Sequence, residues 1–208
     1  MNKNHWKVAL AAGVLSVLGL GFSACHSNEQ KSTARTEQTE GAGNTATAQV
    51  VEVPTFTTVD EGIKNHVGAV YTAYLPVKDH LVAGKADAAQ TAAQRVVDAL
   101  SKVDVTKLTS EQKAFFDQHA GMVKQHAQAV AGSSSVEEQR SQLDMFSTST
   151  YALVKAFKAH DEILYLQHCP MANHDKGGHW ISQTSEIRNP YFGDQMLKCG
   201  ETRETLAD

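Results

Sequence analysis

Apolar residues recur along this chain with helical spacing for about a hundred residues and then stop doing so. Val59, Ile63, Val67, Val70, Tyr74, Val77 and Leu81 fall at alternating steps of four and three, the stripe of an amphipathic helix. Pro76 lies inside that stripe, and its missing N–H predicts a kink near Thr72 or a break into two pieces. Gly84 supplies a stop. A second stripe, Ala89, Ala93, Val96, Leu100 and Val103, predicts a helix from about Lys85 to Val103 whose alanines admit close approach by a neighbour. Thr109 and Gln112 have capping-box spacing and open a third helix that runs to about Ala131, with Gly132 ending it. Ser135 and Glu138 repeat the box before a fourth stripe: Val136, Gln139, Leu143, Phe146, Thr150, Leu153, Phe157 and His160.

Four such helices with short connections predict an all-α domain, an antiparallel four-helix bundle over residues 56–162. Beyond Asp161 the period is lost. Ile163, Tyr165, His179, Trp180, Ile181 and the stretch Glu201 to Leu206 read as short strands or loops, with turns at Pro170, Gly177-Gly178 and Asn189-Pro190. Residues 163–208 are therefore expected to form a small irregular cap packed on the bundle, with Trp180, Tyr191 and Phe192 as its core.

The other end of the chain has a different character. Lys3 and Lys7 precede an apolar run from Val8 to Leu20, and Gly21-Phe22-Ser23-Ala24-Cys25 places small residues before a cysteine. Residues 1–24 thus read as an export signal. The junction resembles the lipobox of bacterial lipoproteins, which implies lipidation of Cys25 and a membrane anchor made of acyl chains. The residue after the cysteine is His26 rather than aspartate, which points to the outer membrane's periplasmic face. Residues 25–55, rich in Ser, Thr, Glu, Gln, Gly and Ala, read as a flexible tether.

Export changes the meaning of the cysteines. Of three in the chain, lipidation removes Cys25 and leaves Cys169 and Cys199 as a pair in an oxidising compartment. They bracket the chain's densest group of soft donors, Cys169-Pro170-Met171 at one end and Met196-Leu197-Lys198-Cys199 at the other, with His168, His174 and His179 nearby. Thiolate, thioether and imidazole together suit monovalent copper or silver. A Cys169–Cys199 disulfide, with Met171 and Met196 packed beneath it, accounts for the same residues and would stabilise the domain by about 3.6 kcal/mol through loop closure. Spacing does not separate the two readings. His119, Met122 and His126, at steps of three and four on one helix face, form a possible second metal cluster.

A formal net charge of −4 argues against a nucleic-acid partner. There is no nucleophile–base constellation, phosphate-binding glycine loop or zinc-protease motif, so no enzyme is expected.

The segments Cys169-Pro170-Met171-Ala172, Gly177-Gly178-His179-Trp180-Ile181-Ser182 and Glu186-Ile187-Arg188-Asn189-Pro190-Tyr191-Phe192-Gly193-Asp194-Gln195-Met196-Leu197-Lys198-Cys199-Gly200 carry a likeness. So do Tyr74 to Leu81 and Arg140 with Phe146 and Ser149. From about Val59 to Leu206 the chain resembles a bacterial domain of unknown function that also occurs at the C-terminal end of periplasmic adaptor subunits of copper and silver efflux systems. The resemblance implies handling of monovalent copper or silver by Cys169, Met171, Met196 and Cys199, with an efflux adaptor or another envelope protein as partner. Without the adaptor's barrel-sandwich, lipoyl-like and hairpin regions, a stand-alone lipoprotein form is expected. If the cysteines are instead paired, the cap is a structural module that docks on an envelope partner.

Overall fold

The computed structural model describes residues 53–207; the expected signal, the expected lipidation position Cys25 and most of the expected tether lie outside that range. The described chain is mostly helical, with four long helices followed by a small antiparallel sheet. In order these are α1 (Glu61–Val82), α2 (Ala86–Leu100), α3 (Ser110–Gly132), α4 (Val136–Phe157), β1 (Leu164–Cys169), β2 (Gly178–Ser182) and β3 (Glu201–Leu206).

The apolar stripes of α1, α2 and α4 become the core. Ile63, Val67, Val70, Tyr74, Val77 and Leu81 of α1 are all buried, against Ala89, Ala93 and Val96 of α2 and Leu143, Phe146, Leu153 and Phe157 of α4. Asp60 caps α1 by accepting from the amides of Gly62 and Ile63. The helix runs through Pro76 as one 22-residue element, so the expected division into two pieces does not occur. It ends in a Schellman turn: Gly84 has φ +63°, its amide donates to Leu81 O, and the Lys85 amide donates to His80 O.

The two predicted capping boxes fare differently. At α3 both arms form, with Thr109 accepting from the Gln112 amide and the Gln112 side chain accepting from Thr109 N. At α4 the Ser135 hydroxyl accepts from the Glu138 amide, but the Glu138 carboxylate turns away to Ser133. Fully buried Gln139 ties the helix ends together, its amide nitrogen donating to carbonyls of Ala86, Val130 and Ser133.

The cap is more regular than expected. Rather than irregular loops, residues 164–206 contain a three-stranded antiparallel sheet of order β2-β1-β3, which makes the all-α expectation incomplete. Period-two alternation over only five or six residues is a weak sequence signal, and the pairing partners are far apart in the chain. β1 pairs His168 with His179 and Gln167 with Trp180. On its other side His168 pairs with Glu201, past a bulge at Leu166/Gln167.

The outer edge of β2 meets α4 and α1, and helix side chains satisfy its backbone. Asp144 Oδ1 accepts from the His179 amide at 2.8 Å, and Tyr74 Oη accepts from the Ile181 amide at 3.2 Å. Residues 183–200 return as a loop held by side-chain hydrogen bonds. Asn189, fully buried, donates to Cys199 O at 2.8 Å and accepts from the Tyr191 amide at 2.8 Å. Arg140 on α4 donates to Pro190 O and to Leu81 O, joining loop, α4 and the end of α1. Trp180 is fully buried with Tyr191 packed edge-on at 6.1 Å, the cap core that the sequence predicted.

Candidate functional site

The two cysteines predicted as a pair come together. Cys169 is the last, buried residue of β1, and Cys199 lies just before β3; both are free thiols with their sulfurs 2.9 Å apart. Cys199 is placed by its neighbours: its carbonyl accepts from Asn189 and its amide donates to Met196 O. The hydrogen bond with Cys169, burial and the neighbouring thiol together push the Cys199 thiol up to about 11. At neutral pH it is protonated.

The remaining predicted donors are distributed differently. Met171 follows Cys169 by two residues and is 47 % exposed, while Met196 is half-buried. His174 is exposed in the turn Ala172–Asp175, where Asn173, His174 and Asp175 all have positive φ near 60°. Three consecutive left-handed residues are a costly backbone for L-amino acids. Asn173 steadies the turn by donating to Gly177 O at 2.9 Å.

His168 and His179 leave the expected ligand set. Successive strand residues point to opposite faces, so His168 and Cys169 part company. His168 faces its cross-strand partner His179, ring to ring at 4.4 Å, and His179 Nδ1 bonds Asp144 Oδ1 at 2.9 Å. Burial pushes the His168 imidazole below its ordinary range, aided by the charges of His179 and Arg203. For Asp144, burial alone would raise the carboxyl. The hydrogen bonds from the His179 ring and amide outweigh it and hold the group below its usual value. This polar chain fastens the sheet to α4.

Two glycines make that geometry possible. A Cβ on Gly178 would stand 2.4 Å from the Tyr191 ring, and one on Gly177, with φ +86°, would meet the His168 ring at 2.4 Å.

On α3, His119 and His126 lie two turns apart. The His119 ring stacks on Phe115 at 4.4 Å, and burial lowers its basicity. His126 Nδ1 bonds Gln142 Oε1 at 2.9 Å. The three-residue cluster therefore does not converge as a unit. Among the described residues no group of three or more His, Cys, Asp or Glu side chains is placed to hold a metal ion. A groove of about 830 Å³ along α1, with Tyr71 and Arg95 in its walls, does not include the thiols. No helix among the described residues is long and apolar enough to cross a membrane.

Residues 70–162 match the family model described as protein of unknown function (DUF3347). The match takes in most of α1 and all of α2, α3 and α4, and it ends before β1, so the cap with its cysteines lies outside it. Of the likeness expected from Val59 to Leu206, the match shows a domain of unknown function over residues 70–162, and the segments from Cys169 to Gly200 that carry most of the likeness lie outside it. No curated protein and no solved structure matches the chain.

In the sequence Asn189, which holds the Cys199 carbonyl, stands out only as part of a turn, and Gln167 and Asp144, which hold the sheet, do not stand out at all. Each bonds at least one backbone group ten or more residues away, and no spacing rule reports that.

Proposed function

We propose that this chain is a lipid-anchored envelope protein of the periplasm, held at Cys25, that binds a soft monovalent metal ion, copper(I) or silver(I), through Cys169 and Cys199 and passes it to an efflux system. The observation that carries this reading is the convergence of Cys169 and Cys199 from opposite ends of the cap, with an exposed methionine two residues from the first. Two thiolates suffice for a monovalent soft ion, and thioethers add donors that an oxidising compartment leaves unpaired. In this reading Met171 and Met196 assist, the three cap histidines do not ligate, and the four helices form an antiparallel bundle that presents the cap. The ion is cargo, consistent with the resemblance to efflux-adaptor termini, and nothing in the site argues for catalysis.

The donor set fits with one adjustment. Two sulfurs bound to one ion at about 2.3 Å stand roughly 3.8 Å apart or more at tetrahedral or wider angles. The thiols must therefore separate on binding, and Cys199, nearer the surface in a loop, is the one free to turn.

The short separation favours a second reading, in which oxidation closes Cys169 and Cys199 as a disulfide that braces a docking module. The two readings divide on thiol chemistry. Protein isolated anaerobically and loaded with copper(I) should protect both cysteines from alkylation. Protection should strengthen as pH rises, because the ion displaces a proton from a thiol raised to about 11. Met171→Leu and Met196→Leu should weaken protection with little loss of stability. Cysteines already cross-linked as isolated, resistant to mild reductant and indifferent to copper, would sink the metal reading.

A further inference from the structure

The seam between α3 and α4 holds donors that the thiol site does not use. These helices are antiparallel neighbours: Gln139 reaches Val130 O, and one turn further from their connection Gln142 meets His126. Continued by one helical turn, the same antiparallel pairing puts Met122 on α3 at about the level of Met145 on α4, by extrapolation from the Gln142–His126 pair. Met122 and His126 are four residues apart and share a face, as do Gln142 and Met145 at three. Met145, 44 % exposed, is one of three large exposed apolar side chains among the described residues.

The chemistry of His126 completes the picture. The Gln142 amide nitrogen donates to Ser141 Oγ at 3.1 Å, which leaves Oε1 as an acceptor facing the ring. His126 Nδ1 therefore donates, and the neutral ring carries its lone pair on Nε2. That atom is buried with no hydrogen-bond partner among the described residues. A histidine whose one nitrogen is fixed by a carbonyl while the other stands unsatisfied has the arrangement of a metal ligand with its supporting partner. His119 does not share the site, since two helical turns, about 10.5 Å, separate it from His126.

We propose that Met122, His126 and Met145 form a soft-metal site on the α3–α4 seam, with Gln142 positioning the imidazole. One nitrogen and two thioether sulfurs suit a monovalent ion of the copper or silver type. None of the three can be lost to a disulfide, so the site works with the cysteines reduced or oxidised. It stands apart from the dithiol reading, and either can fail without the other.

Silver(I), which adds no redox chemistry, is the probe. Titrated into the full chain carrying Cys25→Ser, Cys169→Ser and Cys199→Ser, so that no thiol remains, it should still bind at one ion per chain. Met122→Leu with Met145→Leu in the same background should weaken that binding by about tenfold or more, since the substitutions keep apolar volume and remove the donors. If the serine variant does not fold, the wild-type chain gives the readout through imidazole nitrogen resonances. His126 Nε2 should shift on silver addition while exposed His174 does not. Loss of all silver with the cysteines, an undiminished affinity after both methionine changes, or an unmoved His126 resonance would each overturn the proposal.

Discussion

The helical half and the cap of this protein are held together by different forces. Between Glu61 and Phe157 the buried positions are overwhelmingly apolar and spaced by the helix period; of the polar exceptions Gln112 and Gln139 sit near helix starts, while Ser147, Ser149 and Thr150 lie inside α4, where Ser147 bonds Tyr74 Oη and Thr150 donates to Phe146 O. Between Leu164 and Leu206 the residues that fix the chain are Gln167, Asn189, Trp180 and Tyr191, each through a directed hydrogen bond. Apolar burial is non-directional and tolerates small shifts, whereas a buried amide must meet its partner or lose its hydration uncompensated. The cap should accordingly be the more brittle region, and the thiols lie within it.

The largest effect expected is in the helices. Phe146 is fully buried on α4, edge-on to Tyr74 at 5.3 Å, and Phe146→Ala should cost about 3–5 kcal/mol through lost transfer energy and a cavity. Chemical denaturation followed by helix ellipticity measures it. Because the defect lies in the shared core, helix signal and the protection of buried Cys169 should be lost in one transition. Two separated transitions in the wild-type chain would show that the halves are not one cooperative unit.

Asn189→Ala comes next, at about 2–3 kcal/mol, since it strands the Cys199 carbonyl and two loop amides in a buried site. Its signature differs from that of a core truncation. Cys199 should alkylate faster under native conditions while helix content stays unchanged. An alkylation rate equal to wild type would deny Asn189 the positioning role.

The same contrast explains what could be read from the chain. Every residue of the stripes predicted for α1, α2 and α4 except Val59, Leu100, Val136 and His160 at their margins is buried, because a helix face is written in residues three and four apart. Of the kink or break expected at Pro76 the break does not occur, because an interior proline need not divide a helix packed along its whole length. In the cap, the meeting of Cys169 and Cys199 was legible only through a count of cysteines and the expectation of export. The exclusion of His168 and His179 from their company was not. It depends on which face of β1 each residue takes, and that follows from a register set by pairing with His179 and Glu201, far along the chain.

A smaller effect separates the two helix starts. Ser135→Ala removes an N-cap whose reciprocal arm is already missing and should cost about 1 kcal/mol by thermal denaturation. Thr109→Ala breaks a complete box, whose Gln112 also donates to Thr58 O, and should cost more. Equal losses would mean that the second arm adds nothing.

The smallest effect expected is a pH dependence, and its sign follows from which state binds the proton. The unfolded chain protonates His168 near 6.5, whereas burial, His179 and Arg203 hold the folded imidazole lower, against the opposing pull of Asp144 and Glu201. As pH falls through 6.5 the unfolded state gains protons first, so stability declines until the folded group titrates as well. Asp144 adds a second, more acidic window. Its carboxyl is held below 3.8 in the fold by His179, so the support it gives is present above that value and is lost as pH falls through the folded one. His119 in the helical half is also held low, by burial alone, so a first decline by itself does not locate its source. Replacing each histidine with glutamine does: the share that vanishes with His168→Gln belongs to the cap, and the share that vanishes with His119→Gln belongs to α3. If neither substitution flattens the profile between pH 7 and 5, the two rings are not held neutral by the fold, and the polar chain from Asp144 to His168 does not fasten the sheet in the way its geometry indicates.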